Sequence, residues 1–340
     1  MTNLTRRGVL KAGFGAGLAA TAAPLMVHGA ATAQPTQKLI AEAPFARLEE
    51  IGDGLYAVVS TPLDKDGRIA HVQTLCNGGL IVGDDAILAI DAFYQPAGAA
   101  WLNTEAKRLF GRPVSHVLCT HLHLDHTGGL AGFQDGADGP EIIMTATTWR
   151  LMVDKYSLGR VIEGSPFLRP PAKLVGPTQV ISDETAAIPM DLGGRSVTIQ
   201  PLAGHTPSDL AVLVDDAPVT YGGDLAWWGL FPNYVDAVPS ALGPSVAALM
   251  AGSERLMVTG HGGLVSTADM GPYAVLIDSV AVAAEQARDK GQTPQEAGAS
   301  YAMPKETEGW AFFNPRYPEI AITAWFREWE RAEKAMKAKG

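Results

Sequence analysis

The sequence is short of cysteine: Cys76 and Cys119 are the only two in 340 residues. One possible pair is no disulfide framework, and neither thiol belongs to a C-x-x-C motif. A disulfide-stapled scaffold and dithiol redox chemistry are therefore excluded. A single bridge and two buried free thiols in strands both remain open. Positive charge is scarce as well, with 26 basic residues against 36 acidic ones. Such a surface repels phosphate backbones, so no nucleic-acid partner is expected. There is no G-x-S-x-G elbow to present a serine nucleophile, no fixed-period repeat and no low-complexity linker. What is present is ordinary for a globular chain, 47% apolar and 18% charged, and suffices for a large core.

Residues 1–33 differ from the rest. They hold Arg6, Arg7 and Lys11 and no acidic residue, so the remainder carries 23 basic against 36 acidic residues, or −13. An Ala/Gly/Leu-rich stretch from Val9 to Val27 follows, and Ala31-Thr32-Ala33 precedes Gln34. A basic start, an apolar middle and a small-x-small end predict a secretory leader. Five glycines from Gly8 to Gly29, with Lys11 and Pro24, make it a poor membrane span, so cleavage is expected rather than a stable anchor. The order Thr5-Arg6-Arg7-Gly8-Val9-Leu10-Lys11 resembles the twin-arginine signal read by the Tat export machinery. That resemblance implies a Tat partner and a periplasmic, or otherwise exported, mature domain over 34–340.

From about Ala46 strand-like runs alternate with turns. Leu55–Val59 reads as a strand, and Gly79–Val82 and Ala86–Ile90 flank Gly83-Asp84-Asp85 as a hairpin. Residues 96–110 predict a helix opened by Pro96 and stopped by Gly111. Val114–Cys119, Gln179–Ile181, Ser196–Gln200 and Ala211–Val214 read as further strands. The block 149–171 reads as a helix followed by a Pro-bounded loop. Ser245–Ala251, Tyr273–Lys290 and Pro318–Lys337 read as helices, the last within an extension over 291–340. Strands in two groups with interspersed helices predict two packed sheets covered by helices, in one catalytic domain with a core of about 46–290.

Five of the eight histidines fall into a pattern. His121, His123, Asp125 and His126 crowd into one segment after a strand. Imidazoles at i and i+2 can aim at one ion, while Asp125 and His126 address a second position nearby. This mixture of nitrogen and carboxylate donors suits Zn²⁺. Gly128-Gly129 is expected to allow a tight turn into the next helix. His205 in Ala203-Gly-His-Thr-Pro207, Asp224 after Gly222-Gly223 and His261 before Gly262-Gly263 each follow a short apolar run beside glycine. Placed at strand ends, they would bring four loops together at one sheet edge. Alone, each is an ordinary structural residue; together they predict a metal site. His116 reads as structural, and His71 stays outside the pattern.

H-x-H-x-D-H followed by G-H-T, G-D and G-H-G resembles the metallo-β-lactamase superfamily across about residues 46–290. The resemblance implies an α/β fold, an αββα four-layer sandwich, with two Zn²⁺ at one edge, iron or manganese being the other metals open to it. His121, His123 and His205 would hold the first metal. Asp125, His126 and His261 would hold the second, and Asp224 would bridge both. Asp91 matches a carboxylate that supports the metal loops. A metal-bridging hydroxide would attack a carbonyl, with Asp125 or Asp224 handling the proton.

Departures from the family pattern narrow the chemistry. Zinc β-lactamases usually carry Cys or Ser where this chain has Asp224. Glyoxalase II usually continues G-H-T into a Gly-His pair, whereas Thr206-Pro-Ser-Asp209 stands here. The runs Gly204–Leu210 and Gly223–Trp228 look most like Tat-exported zinc metallohydrolases associated with quinoprotein-relay or sulfur-oxidation systems. An ester, thioester or lactone hydrolase acting on a small molecule is the expectation. A persulfide-dioxygenase-like iron enzyme of the same fold, a β-lactam hydrolase and a metal-free relic are the alternatives. Trp227, Trp228, Phe231 and Tyr234 follow the bridging aspartate and are expected to form a substrate wall.

Overall fold

The computed structural model describes residues 37–65, 68–134, 139–156 and 174–338. The leader expected over 1–33 and most of the loop expected up to Pro171 lie outside the described residues. All described residues belong to one unit, Pro35–Gly340.

The first half of the chain builds one sheet. Its strands are β1 (Lys38–Ala43), β2 (Ala46–Gly52), β3 (Leu55–Ser60), β4 (Gly78–Val82) and β5 (Ile87–Ile90). Helix α1 (Pro96–Phe110) leads to β6 (His116–Leu118), the single turn α2 (Leu124–Thr127), β7 (Glu141–Thr145), α3 (Ala146–Tyr156) and β8 (Gln179–Ile181). These eight strands pair in chain order, antiparallel as far as β5 and parallel from β5 to β8. Parallel neighbours need crossovers, and α1 supplies the first. Pro96 opens α1, and Gly111, at φ 70°, closes it by donating to Lys107 O.

The second half builds the other sheet from β9 (Ile188–Asp191), β10 (Ser196–Leu202), β11 (Asp209–Val214) and β12 (Val219–Trp228), followed by α4 (Pro239–Met250), β13 (Leu256–Gly262) and β14 (Val265–Ser266). Its order is β14-β13-β12-β11-β10-β9. Helices α5 (Gly271–Asp289), α6 (Pro294–Ser300) and α7 (Tyr317–Lys337) complete the chain.

The layers follow from which faces are apolar. Leu55, Ile81, Leu88 and Leu118 of the first sheet meet Val197, Val212, Tyr221 and Val258 of the second in a core between the sheets. The outer face of the first sheet packs on Leu102 and Ala106 of α1 and Met152 of α3. The outer face of the second packs on Leu242 and Val246 of α4, Leu276 and Val280 of α5 and Ala321 of α7. The result is the αββα four-layer sandwich.

Several boundaries differ from the sequence expectation. Strand β1 precedes the expected start, and β7 was not anticipated. Helix α4 begins six residues before Ser245, with Pro239 in its first turn and Pro244 accommodated inside it. Helix α6, within the expected extension, is marked by a capping box between Thr293 and Glu296. Cys76 and Cys119 are both buried free thiols.

Candidate metal centre

The two sheets each deliver part of the site to a shared edge. After β6, residues 119–123 leave the first sheet and turn into α2, presenting His121, His123, Asp125 and His126. From the second sheet come His205, in the loop after β10, Asp224 within β12 and His261 in β13. Asp224 sits where the β12–β13 register breaks between Gly223 and Trp227, which frees its backbone from regular pairing.

Two groups of donor atoms result. His121, His123, His205 and Asp224 form one, and Asp125, His126 and His261 the other; within each, the atoms lie within 4.8 Å of one another. In the first, His123 Nδ1 stands 3.1 Å from His121 Nε2 and 2.9 Å from His205 Nε2. In the second, His261 Nε2 lies 3.2 Å from Asp125 Oδ2. Asp224 spans both, with Oδ2 3.1 Å from His205 Nε2 and Oδ1 3.1 Å from His126 Nε2.

Partners on the far side of each ring decide which nitrogen faces inward. His126 Nδ1 donates to Asp91 Oδ2 at 2.7 Å. Thr120 Oγ1 also donates to that carboxylate, at 3.0 Å, so it can only accept from His121 Nδ1 at 3.0 Å. His123 Nε2 donates to Asp236 Oδ2 at 2.7 Å, and Lys155 pairs with the same oxygen. His121 and His123, which burial keeps neutral, therefore turn an unprotonated nitrogen toward the centre. Lone pairs meeting at about 3 Å repel unless a cation lies among them. Buried His126 Nε2 and Asp224 Oδ1 also lack any hydrogen-bond partner. The donor set fits metal ions.

The electrostatics separate the two groups. Burial holds His121 well below the ordinary histidine pKa, and it outweighs Asp236 in lowering that of His123. In the second group burial opposes protonation but loses. Asp224 and Asp125 raise His261 to about 9, and the carboxylates of Asp224, Asp91 and Asp125 raise His126 well above the ordinary histidine value. Burial would likewise raise Asp125 and Asp224, yet the surrounding histidines hold both carboxyls below their usual range.

Backbone packing holds the donors in place. Asp91, 1% exposed, has φ 64°, a conformation costly for a non-glycine residue, and accepts from Thr120 N at 2.8 Å. Ala92 N donates to His126 O at 2.8 Å and Gly129 N to Phe93 O at 2.9 Å. A Cβ on Gly129 would stand 2.0 Å from Ala92 O. Close approach, not a tight turn, is thus what Gly129 provides, since its own φ of −85° is open to any residue. Asn77 stitches the two sheets beside the site, through Asn77 N to Gly260 O at 2.7 Å and Nδ2 to Gly262 O at 2.9 Å.

The aromatic residues expected as a substrate wall separate. Trp227, 2% exposed, places its ring 4.1 Å from His261 and 6.3 Å from His205. Trp228 packs on Trp310. Phe231 and Tyr234 are fully buried, Phe231 stacking on Phe312 at 5.3 Å. His116 pairs with Glu141 at the surface. Sequence reasoning missed Asp236, Lys155 and Asn77, which no local pattern marks, and Cys76, whose Sγ donates to Asp125 O at 2.8 Å. Burial pushes that thiol up to about 12, so it stays protonated.

A family model for the metallo-beta-lactamase superfamily matches residues 72–281. The chain belongs to that superfamily. Every donor above falls within the matched span. Among solved structures, the stereoselective inverting sec-alkylsulfatase from Pseudomonas sp. is similar over 81% of this chain and 49% of its own, with 19% identity and a TM-score of 0.61. The metallo-beta-lactamase from Hirschia baltica matches 65% of this chain and 92% of its own, with 19% identity and a TM-score of 0.51. Both likenesses concern the fold. The 2,4-dinitroanisole O-demethylase subunit alpha of Nocardioides sp. (strain JS1661) is 28% identical over 183 residues, 53% of this chain and 51% of that one. The chain thus spans about half the length of this curated relative.

Proposed function

We propose that this superfamily member is a dinuclear zinc hydrolase that cleaves an ester, thioester or lactone-type carbonyl in a small molecule. The observation that carries the reading is Asp224, whose two oxygens reach separate histidine groups. His121, His123 and His205 would hold one ion, and Asp125, His126 and His261 the other. Zinc bound there would supply a water acidified toward neutrality and a Lewis acid for the carbonyl oxygen. The chain's own part is to fix the donors. Asp91 and Asp236 orient three imidazoles, and Trp227 walls off bulk water behind His261 and His205. Asp125, held ionised and partly exposed, is placed to accept a proton from an attacking water and return it to the leaving group.

The Nocardioides relative's name records removal of an O-methyl group, and the Pseudomonas structure is named as a sulfatase. An aryl methyl ether and a sec-alkyl sulfate therefore belong in the substrate panel beside a lactone, a thioester, an aryl ester and a β-lactam. Metal analysis of the purified protein with this panel tests the reading. Two zinc ions per chain and turnover of a carbonyl substrate are expected. Iron in place of zinc, with oxygen uptake on a persulfide, overturns it. Asp224→Ala should lose the second ion and most turnover; wild-type activity would refute the bridge. Export is a proposal too, supported by residues 5–11 and the small-residue end of the leader. Finding the protein only in the cytoplasmic fraction would sink it.

A further inference from the structure

Two of the aromatic side chains around the metal centre come from beyond the span that the family model matches. Phe313 places its ring 5.6 Å from His261 at 75° and 6.1 Å from Trp227. Tyr317, the first residue of α7, stands edge-on to Trp227 at 6.5 Å and 80°. Both are partly exposed where Trp227 is buried, and both pack against the cluster that holds Trp227, with part of each ring left open beside His261's neighbour. Their segment is anchored from both ends. Ala311 N donates to Gly229 O at 3.0 Å and Phe231 N to Ala311 O at 2.9 Å. Further along α7, Arg327 donates to Val235 O and Ala237 O, the neighbours of Asp236.

The Tyr317 hydroxyl makes no hydrogen bond among the described residues. Burial first, then the nearby carboxylates of Asp125 and Asp224, raise its pKa, so at neutral pH it keeps its proton. A partly exposed phenol that keeps its proton, and that no other side chain engages, can donate to a bound ligand. The open part of the Phe313 ring can take a further aromatic ring in edge-to-face or offset contact.

We propose that Phe313 and Tyr317 form a substrate subsite for an arylacetic ester or aryl-substituted lactone. The aromatic group lies against Phe313, and the Tyr317 hydroxyl donates to an ester oxygen. This inference rests on the hydrolase reading and names the substrate class for it.

The test uses zinc-loaded full-length protein and two carboxylate probes that mimic acyl products, phenylacetate and acetate, titrated calorimetrically. Wild type should bind phenylacetate about tenfold more tightly than acetate. Phe313→Ala, or Phe313→Leu as a volume-keeping second variant, should bring the two affinities to within about threefold with zinc content unchanged. Tyr317→Phe should weaken both probes by about fivefold through the lost hydrogen bond, and lower kcat/KM for methyl phenylacetate. Wild-type affinities for both probes in all three variants would overturn the subsite. A probe preference of the expected kind, without turnover of any ester or lactone, would leave the subsite standing and fail the hydrolase reading alone.

Discussion

Asp236 Oδ2 lies 2.7 Å from His123 Nε2, although 113 residues separate them, and Lys155 of α3 holds the same oxygen from the other side. The carboxylate fixes which nitrogen His123 turns inward and keeps the ring from rotating. Three layers of the fold meet in that contact.

Asp236→Asn should retain the fold and weaken the first ion's affinity by about 10–100-fold, the usual effect of removing an outer-sphere carboxylate. Competition with a chromophoric zinc chelator measures this. Unchanged affinity would mean that packing alone orients His123.

Asp91→Ala should be the more damaging change. It strips acceptors from Thr120 N, Thr120 Oγ1 and His126 Nδ1 at a buried point, at roughly 1–3 kcal/mol for each group left unsatisfied. Denaturant unfolding of the metal-free protein reads the effect without interference from zinc. A loss below about 1 kcal/mol would show that water or relaxation replaces the carboxylate.

Gly260→Ala adds a Cβ that would meet Asp224 Oδ1 at 1.9 Å. The bridging carboxylate must move, so zinc content should fall below two per chain at a stability cost of about 1–3 kcal/mol. Two tightly held ions in this variant would show that Asp224 does not need the space.

Acidification should remove the ions in order. In the metal-free centre His261, raised to about 9 by Asp224 and Asp125 against burial, and His126, raised well above the ordinary value, carry protons at neutral pH. His121 and His123, lowered chiefly by burial, do not. A metal entering the second group must displace protons, so its affinity grows by about tenfold per pH unit for each proton released, up to about pH 9 for His261. His121 and His123 have no such protons to release near neutrality. Zinc release followed while pH is lowered should give two steps. Loss of both ions in a single step would contradict the difference between the groups.

Much of this centre is legible in the sequence because its donors crowd together. His121, His123, Asp125 and His126 fall within six residues, and His205, Asp224 and His261 each stand beside glycine at the end of an apolar run. The four layers follow from similar local signals, such as Pro96 and Gly111 framing α1. Asp236 and Lys155 carry no such signal, since an aspartate in a loop and a lysine on a helix are the commonest of surface residues. Only the docking of α3 against the loop after β12 gives them a role. Tyr317 is hidden for the same reason: the amphipathic stripe of α7 marks its buried face but not what its first turn overlooks. Strand β1 escapes because Lys38–Ala43 is a largely exposed edge strand, without the alternation that a half-buried strand shows.

Four donors come from the connection after β6 and three from the second sheet. A nascent chain that ends before His205 can offer no complete set for either ion. On the proposed reading, tight metal retention would be a property of the finished sandwich, and a bound metal would act as a clasp across the edge where the two sheets meet. Because bound metal favours only the joined state, a fully loaded molecule would certify its own assembly: metal stoichiometry would count folded chains in a preparation as directly as it would count complete donor sets.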